Sequence, residues 1–271
     1  MIRLSTFLLF FLLLSDLTGQ DTLRLVQGTF IALQNVQEVE MDPLGNLYVL
    51  SSKGAIEKYD GSGSKRTVFT QNRLGNPSAI FARNALKVFV WYPDFRTIVV
   101  LDRNLVQLGG ALNLIELGFQ NAIVLGPSVD GNIWLYDEVR FKLLKISPDG
   151  TLLAESQGLD LLLQRRISIQ ILVDNGQQVI AYDPLAGLLF FDLFGQFKRQ
   201  ILTDQSIEQL QLTGSQLQWL DSANRLVEMS VGFPTAEKSW VLPKTLEAAR
   251  KKLVANGLIR WDPKGVQVWN R

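Results

Sequence analysis

Short apolar segments recur along this chain at nearly constant spacing, each opened by a polar or small residue and closed by Leu, Trp or Tyr. They read Asn46-Leu-Tyr-Val-Leu50, Lys87-Val-Phe-Val-Trp91, Asn132-Ile-Trp-Leu-Tyr136, Gln178-Val-Ile-Ala-Tyr182, Gln216-Leu-Gln-Trp-Leu220 and Gly257-Leu-Ile-Arg-Trp261. Runs of this length and composition, bounded by turn formers, predict β-strands. Turn signals precede them: Asp42-Pro-Leu-Gly45, Arg83-Asn84, Asp130-Gly131, Asp174-Asn-Gly176, Thr213-Gly214 and Asn256-Gly257. A second turn follows, with Asp137, Asp183, Asp221 and Asp262 in corresponding places and Ser51 and Tyr92 in the first two copies. An aspartate there can accept from the backbone two residues on and fix the turn. A second strand then begins, as in Ala55–Tyr59, Thr97–Leu101 and Lys142–Ile146, and most units run through a further turn into a third.

The closing residues of the six segments lie 41, 45, 46, 38 and 41 positions apart. A period of about 42 with about four strands per unit is the signature of a β-propeller blade. Six such units span about the whole chain after its first 20 residues, which predicts an all-β, six-bladed β-propeller of four-stranded antiparallel blades over 21–271, as one domain. The last unit stops at its third strand, Val266–Trp269, and the missing fourth is assigned to Thr22–Gln27, whose pairing with the last blade closes the ring. Closure removes sheet edges that would invite aggregation. Lys244–Leu253 is rich in helix formers and is expected to form a short helix over one face before the last blade resumes.

Residues 1–20 depart from this pattern. Arg3 precedes an apolar run from Leu4 to Leu14 broken by Ser5 and Thr6, too short for the ~20 residues of a spanning helix. It reads as a secretory signal peptide, 1–20, with cleavage after Gly19 or Gln20. A periplasmic or secreted protein is expected, with no transmembrane anchor. Cysteine is absent, so no lipid anchor through a cysteine thioether is expected either.

Composition removes several chemistries. The 271 residues include neither cysteine nor histidine, which excludes disulfides, thiol nucleophiles, Cys/His zinc sites and imidazole acid–base catalysis. With 27 basic against 26 acidic side chains, no electrostatic footprint for nucleic acid is present.

The segments Asp42-Pro-Leu-Gly-Asn-Leu-Tyr-Val-Leu50 and Val129-Asp-Gly-Asn-Ile-Trp-Leu-Tyr136 resemble NHL-type and related six-bladed propeller repeats. The resemblance implies the fold, but propellers of this group serve as scaffolds, lectins, lactonases and lyases, so it implies no single activity. The loops leading into the first strand of each blade should ring one channel mouth. There Glu38, Asn76, Asn121 and Glu208 offer oxygen ligands suited to Ca²⁺ or Mg²⁺, and lactonase-like hydrolases of this resemblance use a comparable set. Channel mouths are also wet, and favour polar residues whatever the function. Glu247 falls in the same ring.

Trp91-Tyr-Pro-Asp-Phe-Arg96 places Tyr92, Phe95 and Arg96 in a turn expected to reach solvent, with residue types that dominate binding hot spots. Leu159-Asp-Leu-Leu-Leu163, followed by Arg165 and Arg166, is a second candidate patch. The preferred reading is an exported, monomeric, non-catalytic scaffold that binds an envelope or extracellular protein or glycan through one face, without a cofactor. The alternative is a Ca²⁺- or Mg²⁺-dependent hydrolase or lyase at the channel mouth.

Overall fold

A computed structural model describes residues 23, 25–246, 249–255 and 257–271, with the backbone alone at 233–236. The signal-peptide assignment, Glu247 and the Asn256 turn position lie outside the described residues. Six four-stranded antiparallel sheets form a ring. Blade 1 is Val36–Met41, Leu47–Ser51, Ile56–Tyr59 and Lys65–Phe69. Blade 2 is Ala79–Asn84, Lys87–Tyr92, Thr97–Asp102 and the short Leu112–Asn113. Blade 3 is Ala122–Pro127, Ile133–Asp137, Lys142–Ile146 and Leu152–Glu155. Blade 4 is Ile171–Asp174, Val179–Asp183, Gly187–Phe191 and Phe197–Ile201. Blade 5 is Ile207–Thr213, Gln216–Asp221, Arg225–Ser230 and Phe233–Val241. In blade 6, Arg250–Val254, Gly257–Asp262 and Gly265–Asn270 are joined by Val26–Ile31 from the other end of the chain.

The apolar runs are explained by packing on both faces of each blade. Every residue of Ile133–Asp137, Val179–Asp183 and Gly187–Phe191 is buried, whereas the outer strands Lys65–Phe69 and Leu152–Glu155 are largely exposed. A strand covered on both sides cannot alternate apolar with polar, so its sequence becomes a continuous apolar stretch. Six separate cores fill the spaces between successive blades. Tyr48, Ile80 and Val90 join blades 1 and 2, and Trp134, Leu172 and Ala181 join blades 3 and 4. Ile259 and Trp261 pack on Val39 and Val49 to close blade 6 onto blade 1. Blades 3 and 4 approach closely at Gly126, since a Cβ there would lie 2.5 Å from that of Leu172.

The turns follow the local chemistry. In Asp42-Pro-Leu-Gly45, the Asp42 carboxylate accepts from the backbone N–H groups of Leu44 and Asn46 at 2.9 Å, while Gly45 takes φ +81°. That left-handed backbone favours glycine, which has no Cβ to clash. The recurring aspartates act as expected: Asp137, Asp183, Asp221 and Asp262 each accept from the N–H two residues on, at 2.7–3.0 Å. Asp137 and Asp221 also bind the Nε of Arg140 and Arg225 at 2.8 and 2.7 Å.

Ring closure occurs as predicted, with its register displaced. The described closing strand is Val26–Ile31, overlapping the expected Thr22–Gln27 at Val26 and Gln27, with Thr22 and Arg24 outside the described residues; it runs antiparallel to Gly265–Asn270 with a register shift between Gln27 and Phe30. Leu23 and Leu25 instead pack against the core between blades 5 and 6. The buried Gln267 side chain fills the bulge. It donates from Nε2 to the carbonyls of Gly28 and Thr29 at 2.9 and 3.1 Å, and its Oε1 accepts from Gln27 at 3.0 Å. Among the described residues of the helix-former segment 244–253, Lys244–Leu246 form a 3₁₀ turn and the inner strand of blade 6 begins at Arg250. Tertiary pairing in the ring overrides helix propensity there.

Candidate functional site

The first strand of each blade lines a central channel, and its side chains divide by sector. Blades 2 to 4 contribute Phe81, Ile123, Leu125, Pro127 and Ile171, with Trp91 behind them. Blades 5, 6 and 1 contribute Glu208, Gln209, Lys252, Glu38 and Glu40. The channel holds two chambers. One of about 520 Å³ lies on the side of the inter-blade connectors, and one of about 380 Å³ on the far side; Glu40, Arg83 and Gln211 stand in the walls of both.

Backbone irregularity shapes the connector-side mouth. In blades 1, 3 and 5 the inner strand slips register after its first residue, leaving Gln37, Ile123 and Glu208 without a partner opposite. Such a bulge re-aims a side chain. Ile123 and Glu208 are accordingly exposed at the chamber wall.

Lys252 governs the charged sector. Its Nζ lies 2.7 Å from both Glu38 Oε1 and Glu40 Oε2. Burial alone would lower the ammonium's pKa, but Glu40 and Glu38 outweigh it and hold Lys252 above the ordinary lysine range. Arg83 differs. Its Nη2 donates to the Leu212 carbonyl at 2.7 Å, and among the described residues no carboxylate pairs with it. Burial depresses its pKa, opposed by the charges of Glu40 and Asp174.

The four candidate metal ligands do not converge. Glu38 and Glu208 line the connector-side chamber, Glu38 already engaged by Lys252. Asn76 is exposed beside Gly54 on the connector loops, and the Asn121 carbonyl accepts from Glu138 N–H at 3.2 Å; neither lines the chamber. Among the described residues no group of three or more carboxylates is arranged to hold a cation.

The expectation that Tyr92 reaches solvent is corrected. Tyr92 is fully buried between blades 1 and 2, and its hydroxyl has no hydrogen-bond partner among the described residues. It ends a strand rather than entering the turn, so the alternation points it into the core. Burial pushes its hydroxyl up to about 12. Phe95 is 49 % exposed. Arg96 is drawn to the neighbouring blade, where Nη1 donates to the carbonyls of Gln120 and Ala122 at 2.8 and 3.0 Å. Arg165 donates to the Leu185 carbonyl at 2.9 Å, and Arg166 is exposed.

Just before these arginines in the chain lies the short helix Leu159–Leu163, anchored by the buried Leu159 and presenting Leu161 at 81 % exposure. The apolar run signalled this patch in the sequence. Arg83, Glu40 and Lys252 carried no such signal, and Arg83 read as part of a turn; it stands in an inner strand.

The chain matches no protein-family model and no curated protein. In shape it is similar to the WD40 domain of Pan2 from Neurospora crassa, at 11 % identity over 91 % of this chain and 95 % of that one, with a TM-score of 0.59. It is similar to selenomethionine-substituted virginiamycin B lyase from Staphylococcus aureus, at 10 % identity over 92 % and 88 %, TM-score 0.59. Hsv2 from Kluyveromyces lactis is similar at 14 % identity over 88 % and 78 %, TM-score 0.52. At such identities the likeness is one of fold alone, and the fold is a β-propeller.

Proposed function

We propose that this chain is an exported, non-catalytic propeller that binds an envelope or extracellular protein on its connector face. The observation that carries this reading is the succession of apolar side chains held out on that face by neighbouring blades. They are Phe95 of blade 2, Val139 of blade 3, Leu161 on the connecting helix and Leu185 of blade 4, the last 72 % exposed. Apolar side chains usually reach a surface singly, and a series on adjacent loops marks an interaction surface. Arg165 and Arg166 follow the helix directly, and arginine is enriched in such interfaces. A protein suits this surface better than a glycan. With Tyr92 in the core, Phe95 is the one aromatic of the candidate turn left to stack on a sugar. Export rests on the charged and apolar pattern of residues 1–20.

The test is capture from the envelope fraction with the parent protein and with the Leu161→Glu, Leu185→Glu double variant. A specific partner held by the parent and lost by the variant, at unchanged melting temperature, is the expected result. The same proteins retained by the parent and the double variant alike would overturn the assignment of the face. For export, the isolated protein should begin at Gln20 or Asp21, and deletion of residues 2–20 should leave it in the cytoplasm.

A further inference from the structure

The channel carries a cation without a counter-ion among the described residues. A guanidinium has five N–H donors, and for Arg83 one hydrogen bond is formed, to the Leu212 carbonyl. The carboxylates whose charge reaches it are engaged elsewhere. Glu40 is held by Lys252 at 2.7 Å. Asp174 accepts from Ser128 Oγ at 2.7 Å, from Trp134 Nε1 at 2.8 Å and from the Gly176 N–H. Arg83 stands in the walls of both chambers. The wall of the larger one is apolar from blades 2 to 4, where Phe81, Ile123 and Leu125 face the space and the bulge turns Ile123 out to it. About 520 Å³ lies within the usual range of small-molecule sites, ~300–1,000 Å³, and an apolar wall with a few placed polar groups, here Arg83 with Glu208 and the Glu38–Glu40–Lys252 cluster of blades 5, 6 and 1, is their usual composition.

We propose that the channel binds a small apolar carboxylate, its hydrocarbon body against Phe81, Ile123 and Leu125 and its carboxylate paired with Arg83. A carboxylate can accept two parallel N–H bonds from the guanidinium. A cationic ligand would have to compete with Lys252 for Glu38 and Glu40 or sit at the exposed Glu208 of blade 5, away from the apolar wall of blades 2 to 4, and a small hydrophilic anion would gain nothing from that wall. The site is independent of the connector-face reading, since none of these residues belongs to the exposed patch.

Calorimetric titration at pH 7 with 3-phenylpropionate, 3-phenylpropanol and 3-phenylpropylammonium separates charge from the shared aryl body. The carboxylate should bind at least tenfold more tightly than the alcohol, with the ammonium weakest. Arg83→Gln should reduce the carboxylate to the level of the alcohol at an unchanged melting temperature. Ile123→Trp, which fills the chamber without altering its charge, should weaken all binding and serves if Arg83→Gln fails to fold. Absence of phenylpropionate binding at millimolar concentration would overturn the proposal. So would equal affinity for the three ligands, or carboxylate affinity unchanged in Arg83→Gln.

Discussion

Gln267 offers the sharpest test of how the ring is held shut. Replacing it with leucine keeps the approximate volume but removes three hydrogen bonds to the closing strand, those with Gln27, Gly28 and Thr29. Each is worth about 1 kcal/mol net. Gly28 and Thr29 are half-buried and Gln27 is exposed, so water recovers part of the loss and about 2 kcal/mol remains. At 2–4 °C per kcal/mol for a domain of roughly this size, thermal unfolding should fall by about 4–8 °C. Gln27→Ala removes one exposed partner and should cost less than about 0.5 kcal/mol. Amide exchange should accelerate first at Val26–Ile31 in Gln267→Leu, because that strand adds to the last blade from the opposite chain end. A melting temperature unchanged within 1 °C would refute the role of Gln267, as would a Gln27→Ala cost equal to that of Gln267→Leu. Either result would place the strength of closure in the backbone ladder alone.

Tyr92→Phe should stabilise the protein by about 1 kcal/mol, read as a rise in the denaturation midpoint, because it removes a buried hydroxyl with no partner. It should leave partner capture unchanged. Acid unfolding should expose the ion pairs on the face opposite the connectors. Burial alone would raise the Asp130 carboxyl, but Lys145 Nζ at 2.6 Å and the Asn132 N–H bring it down to about 2. The folded value lies below that of an unfolded aspartate, so this stability is full above pH ~4 and is lost as pH falls toward 2. Lys145→Met should therefore reduce stability at pH 7 by about 1 kcal/mol, the carboxylate being 43 % exposed. The difference from the parent should vanish near pH 2, and a difference independent of pH would show that lost packing on Trp134, not the ion pair, is responsible.

Much of the fold was legible because the repeating unit is local. Ile133–Tyr136 and Val179–Tyr182 are buried on both faces, so these copies are apolar throughout, and Gly45 and Gly131 had to follow where the hairpins take positive φ. The site was less legible. Residue type predicts a surface anchor at Tyr92, although its register sends it inward, and Arg83 next to Asn84 carries the pattern of a turn. Leu23 and Leu25 alternate as a strand would, yet they pad a core while pairing begins at Val26.

Local residue patterns set the number of blades, the turn chemistry and the need for a closing strand, since each shows within about one repeat. Tertiary structure alone decided which polar residues meet in the channel. Glu38 and Lys252 are 214 positions apart and become ion-pair partners only when blade 6 closes onto blade 1. Among the described residues Arg83 is left without such a partner by the same geometry. No local pattern records which of six inner strands will face one another, because that is set by ring closure and by bulges that shift the alternation by one residue.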